Sequence, residues 1–449
     1  MSFRDFITNW RYRNSADAMF DRYDRIQAPA NPSPRHLAKL VRQLSQPKNA
    51  WFAKRELELI GAAAAPALAQ AARSRAWQPR RDIDELLNEP LVNCLELLVP
   101  HDPETVIEVT SRLADSRFSD WRGVAALQAA SLGRIDTLPL LRRLLLDEDE
   151  GVRESVSKGL VRACGAQALT SEFRTAAFDH LISSCAPNGK GPDRACFEAM
   201  IALDRKRAAQ EFASRRWINR ENPDVVGLLR SCNEAEIQLP AELVRDLFDD
   251  SLPRVTGDSC YPHCSIAAES LRSLTSSLGE AARPLLMSML NHDHEKLQVA
   301  SAAGLAMLVG LKDPAYLMFQ KVSQRGLDTL NPPQRVVHFA STFEFQVGNG
   351  GLAQFFANSS GDHVPEIMEA LRILGHPEAI HALVSAVDLV GPIARERDRE
   401  IRLTAFEDRY DELRQRFEPL EDAFYATIGR FQQSLLLYAA EHADKILEP

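Results

Sequence analysis

Cysteine, strand-type alternation and long apolar runs are all scarce in this chain of 449 residues. Its seven cysteines, at 94, 164, 185, 196, 232, 260 and 264, are odd in number, scattered and without a Cys-x-x-Cys pair. That pattern excludes a disulfide scaffold and fits free or buried thiols in a reducing compartment. No window approaches the roughly 18 uncharged apolar residues of a membrane span. The most apolar stretch, 60–72, is Ala-rich and interrupted by Pro66. The opening run from Met1 to Arg13 has no apolar core of signal-peptide length, so a cytoplasmic protein with no membrane contact is expected. Basic charge is not in excess either. Fifty-three Lys and Arg face 62 Asp and Glu, a net charge of −9, which argues against a uniformly basic nucleic-acid binder held by phosphate attraction. Catalytic signatures are missing: there is no Gly-x-Ser-x-Gly, and His294-Glu295 is not completed to His-Glu-x-x-His. A non-enzymatic protein with no cofactor is therefore expected, the competing reading being an enzyme or metal-dependent module centred on 260–294.

What is abundant is helical periodicity, and the helices repeat. The segment from Leu138 to Leu160, shifted by 145 positions, falls without gaps on Arg283 to Leu305. Pro139 meets Pro284, Leu140 and Leu141 meet Leu285 and Leu286, and Gly159-Leu160 meets Gly304-Leu305. Each copy reads as a Leu-rich helix, a short polar turn and a second helix with small residues. A looser copy runs from His36 through Gly61, and 120–132 carries another second-helix pattern. Asp147, Asp149, Val152 and Arg153 carry a resemblance to the HEAT repeat family, whose units run about 40–47 residues. Gln298 stands where that pattern has Arg. The resemblance implies an extended protein-binding solenoid.

After Pro332-Pro333 the character changes. A helix carrying Val336, Val337, Phe339, Ala340 and Phe343 inward is expected to start at the prolines. It leads into a run containing Asn349, Gly350, Gly351, Gln354, Phe355, Phe356, Asn358, Ser359 and Gly361. With no preceding strand and no Gly-Lys-Ser/Thr, this is a poor phosphate loop. Its expected use is a glycine corner braced by Gln354 and Asn358, which share a helix face. Together with the later Leu420-Glu421-Asp422-Ala423-Phe424-Tyr425, the run resembles a bacterial family, the C-terminal-domain family of DNA mimic protein nineteen. The resemblance covers about 325–445. It implies an all-helical, acidic, non-enzymatic domain whose surface carboxylates occupy the binding face of a DNA-binding protein.

The charge distribution agrees with an acidic domain. Residues 331–449 hold 11 Lys and Arg against 19 Asp and Glu, whereas 1–330 hold 42 against 43. The densest acids are Glu407, Asp408, Asp411, Glu412, Glu418, Glu421 and Asp422, expected to face outward while Phe406, Tyr410, Leu413, Phe417, Leu420 and Phe424 face the core. Pro419 is expected to divide this stretch into two helices. Arginines 395, 397, 399, 402, 409, 414 and 416 are interleaved, the pattern of a salt-bridged helix face. The expectation is thus an all-α protein: an N-terminal helical arm at 1–30, a HEAT-like α-solenoid at 31–322 and a compact acidic helical domain at 325–445. The expected partner is a basic protein bound by the acidic face, with no direct nucleic-acid contact. An immunity protein against a nucleic-acid-directed toxin is one variant.

Two further groups stand out. Arg205-Lys206-Arg207 and Arg215-Arg216-Trp217 form a basic cluster with one aromatic, expected as a solvated face or a docking surface for acid. Cys260, His263 and Cys264, with His292 and His294, are zinc-ligand types. Their Cys-x-x-His-Cys spacing is unusual, however, and both histidines align with Asp147 and Asp149 in the polar turn, so no metal is expected.

Overall fold

The structure, a computed structural model, describes residues 25–29, 31–74, 90–166, 169–184, 194–257, 260–407 and 409–449. Most of the N-terminal arm expected at 1–30 lies outside these. All regular secondary structure among the described residues is helical. No described helix is long and apolar enough to cross a membrane. The chain divides after Ile237 into two compact units, the second comprising Gln238–Pro449. The boundary expected at 322–325 instead falls inside the second unit. One continuous core runs from Ala306 and Met318 through Val337 and Phe356 to Ile446, so helices on both sides of 322–325 share a single apolar interior.

The first unit contains helices α1 (Ser119–Ser131), α2 (Leu138–Leu144) and α3 (Glu150–Ala166). The second contains α4 (His263–Leu278), α5 (Arg283–Met289) and α6 (Glu295–Leu308). Both ends of α2 and α5, and the starts of α3 and α6, are 145 residues apart. The turns between them carry closely similar hydrogen bonds, two of the three from residues 145 apart and the third displaced by one residue. In the first unit the Asp149 amide donates to Asp147 Oδ1 (2.9 Å), the Val152 amide to Asp149 Oδ1 (3.2 Å), and Arg153 Nη1 to the Asp147 carbonyl (3.0 Å). In the second the His294 amide donates to His292 Nδ1 (3.0 Å), the Lys296 amide to His294 Nδ1 (3.2 Å), and Gln298 Nε2 to the His292 carbonyl (2.6 Å). Imidazole nitrogens therefore replace carboxylate oxygens as helix N-caps, and an uncharged amide replaces the arginine.

The shared glycines serve close packing. A Cβ on Gly159 would lie 2.5 Å from the Leu127 carbonyl and 2.6 Å from Ala130 Cβ; one on Gly304 would lie 2.7 Å from Leu286 Cδ2 and 2.9 Å from Thr275 Oγ1. Ala130 and Thr275 again differ by 145, so α3 approaches α1 as α6 approaches α4.

The second unit further contains α7 (Pro332–Ala357), α8 (Val364–Leu374), α9 (Pro377–Val390), α10 (Arg399–Glu407), α11 (Tyr410–Tyr425) and α12 (Ile428–Glu441). Helix α11 runs through Pro419 without ending there. Proline removes one backbone donor, but Leu413, Phe417 and Phe424 are buried on both sides of it and anchor the helix across the gap. The division expected at Pro419 falls instead between Tyr425 and Ile428.

Candidate functional site

Helix α7 opens with a capping box: the Gln334 amide donates to Asn331 Oδ1 (3.1 Å), and the Asn331 amide to Gln334 Oε1 (3.0 Å). It is interrupted at Gly350 (φ −167°, ψ 22°) and Gly351 (φ 75°, ψ −175°). The second pair of angles belongs to a region that only glycine enters without strain. The break leaves the Val347 carbonyl and the Leu352 amide to be satisfied from outside the helix, and α11 supplies both partners. The Tyr425 hydroxyl donates to the Val347 carbonyl (2.6 Å), and the Leu352 amide donates to Glu421 Oε1 (2.6 Å). Glu421 and Tyr425 are four apart and share a helix face. The two sequence elements behind the family resemblance, about 70 residues apart, are thus the break and the groups that heal it.

The remaining motif residues brace this corner. Asn358 Nδ2 and Gln354 Nε2 converge on Gln346 Oε1 at 2.7 and 3.5 Å. Phe355 and Phe356 are fully buried and join a ring network with Phe343, Phe406 and Phe417, at centroid separations of 5.0–6.0 Å. Asn349 and Ser359 are exposed.

The sequence places Arg402 among the arginines interleaved on an acidic surface. It is in fact 0% exposed. Its Nε donates to the Phe356 carbonyl (3.0 Å), Nη2 to the Asn358 carbonyl (2.9 Å) and Nη1 to the Glu396 carbonyl. Asp362 Oδ1 lies 2.6 Å from Nη2 as an ion-pair contact. Arg399 Nε adds a bond to the Ala357 carbonyl (2.8 Å). Two cations therefore cover the carbonyl end of α7, where the helix dipole favours positive charge. Gly361 sits against the Arg402 guanidinium.

Of the seven acids expected on the outer face, Asp408 and the Glu407 side chain lie outside the described residues. Glu421 does not face outward. It is half-buried against the break, and that burial pushes its carboxyl pKa up, opposed by the Leu352 amide and by Arg414. Glu412 is exposed but lies between Arg409 (3.7 Å) and Arg416 (3.3 Å). Asp411, Glu418 and Asp422 are exposed, and among the described residues no cation pairs with them. Their spacings of seven and four place them along one face of α11.

A histidine on α7 titrates within reach of mild acid. Burial, with help from His363 and Arg335, pulls the His338 pKa from 6.5 down to about 4. A depressed folded-state pKa contributes stability that is full above the unfolded value and is lost as pH falls through the folded one. His376, also lowered by burial, acts in the same sense, whereas Glu344 and Glu421, raised by burial, act in the opposite one. His338→Gln is therefore expected to remove about 1–2 kcal/mol of the loss between about pH 7 and about pH 4.5. Urea midpoints of both proteins at the two pH values check this; equal losses would refute it.

Elsewhere in the second unit, ligand atoms of Cys260, Cys264 and His294 all lie within 4.8 Å of one another. His263 and His292 are not in that cluster. The basic cluster of the first unit is largely paired: Arg207 with Asp179, and Arg216 with Glu211 and the Trp217 ring. Trp217 is 2% exposed, so it offers no stacking platform.

No curated protein matches the chain, and no solved structure does. Residues 328–442, which contain both the helix break and the groups that heal it, match the family model described as DMP19-like protein.

Proposed function

We propose that this is a non-enzymatic interaction protein whose DMP19-like region presents an acidic face to a basic protein, such as a DNA-binding regulator or nuclease. The observation that carries this reading is the stripe of Asp411, Glu418 and Asp422, solvent-facing carboxylates on a helix whose opposite side is locked into the core. The concentration of acidic charge in 331–449 supports it further. Duplex DNA carries one charge per about 1.7 Å of axis. At about 1.5 Å per residue, the three carboxylates span about 16 Å. That density favours an acidic docking face over a close copy of duplex phosphates. The helix–turn–helix repeat at 138–160 and 283–305 supports a HEAT-like stacking of hairpins as the scaffold on which the face is carried, in a cytoplasmic setting.

Such contacts are long-range and screened. Affinity for a captured basic partner is expected to fall steeply between about 50 and about 300 mM salt. The triple variant Asp411→Asn, Glu418→Gln, Asp422→Asn should weaken binding about tenfold or more while leaving melting nearly unchanged, because exposed unpaired charges contribute little to stability. Binding that ignored both salt and the amides would exclude the electrostatic mechanism.

A further inference from the structure

The 145-residue correspondence between the units extends to what fills the junction beside each turn. In the first unit Arg122 of α1 reaches into it: Nε and Nη2 donate to the two carboxylate oxygens of Asp147 at 2.8 and 3.0 Å, with both side chains about nine-tenths buried (12% and 11% exposed). A cation thus sits between α1 and the capping turn of α3. The position in α4 corresponding to Arg122 is Ala267, which is fully buried and brings no charge. Around the same junction Asp115, Ser119, Asp147 and Asp149 are replaced by Cys260, Cys264, His292 and His294. The second unit has therefore lost its guanidinium and its carboxylates together, and has gained thiols and imidazoles.

These replacements converge. Cys260 and Cys264 are 4% and 3% exposed, and their sulfurs lie with a His294 ring nitrogen inside a 4.8 Å sphere of mutual separation. The Cys260 thiol, held neutral by burial and by its hydrogen bond with Cys264, would give up its proton on ligation. His294 Nδ1 accepts a hydrogen bond from the Lys296 amide (3.2 Å), a bond that the neutral ring would give up on ligating. Beside the cluster, His263 Nδ1 is buried without a hydrogen-bond partner among the described residues.

We propose that Cys260, Cys264 and His294 form a metal site for a divalent ion of the zinc class, occupying the role that Arg122 fills in the first unit. Two thiolates and one imidazole are the donor set that zinc favours over magnesium or calcium. With metal–sulfur bonds of about 2.3 Å, tetrahedral sulfurs would be about 3.8 Å apart, so closure needs movements of about 1 Å at most. The fourth position falls to water. Binding releases the two thiol protons to solvent and changes no oxidation state.

The test uses the full chain without a polyhistidine tag, reduced, stripped with chelator and titrated with Co(II) and with Zn(II). The expected result is one equivalent of Co(II) with thiolate-to-cobalt charge-transfer absorption and the strong visible bands of a tetrahedral site. Zn(II) should displace it, raise the melting temperature and protect two thiols from a thiol reagent. His294→Asn keeps an N-cap acceptor of comparable strength and removes the imidazole, so its metal-free melting should match wild type while metal affinity falls at least tenfold. Cys264→Ser should at least halve the charge-transfer band. A titration without that band, a Cys260–Cys264 disulfide that persists under mild reduction, or unchanged affinity in His294→Asn would each overturn the proposal.

Discussion

Replacing Arg402 with alanine is expected to destabilise the second unit by about 3–5 kcal/mol, the range for removing one partner of a buried ion pair. For a unit of about 200 residues this corresponds to a fall in melting temperature of about 10 °C. The guanidinium is fully buried and serves the carbonyls of Phe356, Asn358 and Glu396 together with Asp362. Alanine would leave four acceptors facing a cavity. Lysine should recover less than half of the loss, because a single ammonium cannot reproduce the planar fork that meets Phe356 and Asn358 at once. Adding Asp362→Asn to the alanine variant should restore part of the stability by removing the stranded charge. Urea unfolding followed by far-ultraviolet circular dichroism reads all three. An alanine variant within about 1 kcal/mol of wild type would show that the carbonyl cluster is solvated and the account wrong.

Gly351→Ala is expected to have a comparable effect for a different reason. Its φ of 75° with ψ near 180° lies where a Cβ is strained, at about 1–3 kcal/mol. The added methyl would also intrude on the Glu421 carboxylate and disturb its bond to the Leu352 amide, an interaction with a charged acceptor that contributes about 1.5–3 kcal/mol. The two contributions separate in a double variant. Glu421→Ala alone should lose only the second. Gly351→Ala on that background should then add only the backbone strain, giving a total smaller than the sum of the singles. Strict additivity would mean that Gly351 and Glu421 do not meet as described.

The helices were legible because their apolar residues recur at helical spacing, and the internal repeat because equivalent residues perform equivalent hydrogen bonding. Asp147 and His292 look unrelated as letters, yet each caps the same amide in the same turn. The motif around Gly351 could be recognised as a corner. That Glu421 and Tyr425 complete it could not be seen, since their partners are single backbone groups exposed by a kink. Arg402 was misplaced for a related reason: a run of alternating Arg and Glu reads as solvated surface, and only the chain reversal after α7 gathers enough carbonyls to hold one of those arginines inside. The meeting of Cys260 and Cys264 with His294 needed the packing of α4 beside the turn before α6, which spacing along the chain does not reveal.

The healed break in α7 also bears on the order of folding. The second half of α7 begins at an amide whose acceptor, Glu421, is synthesised 69 residues later. Until α11 docks, the amide that opens this short helix after two glycines has no cap, and short isolated helices are marginal in water. The corner is therefore expected to close late, through a contact of the long sequence separation that slows folding. Chains truncated before 421 should leave Phe355 and Phe356 exposed to solvent, as targets for chaperones and proteases rather than parts of a core.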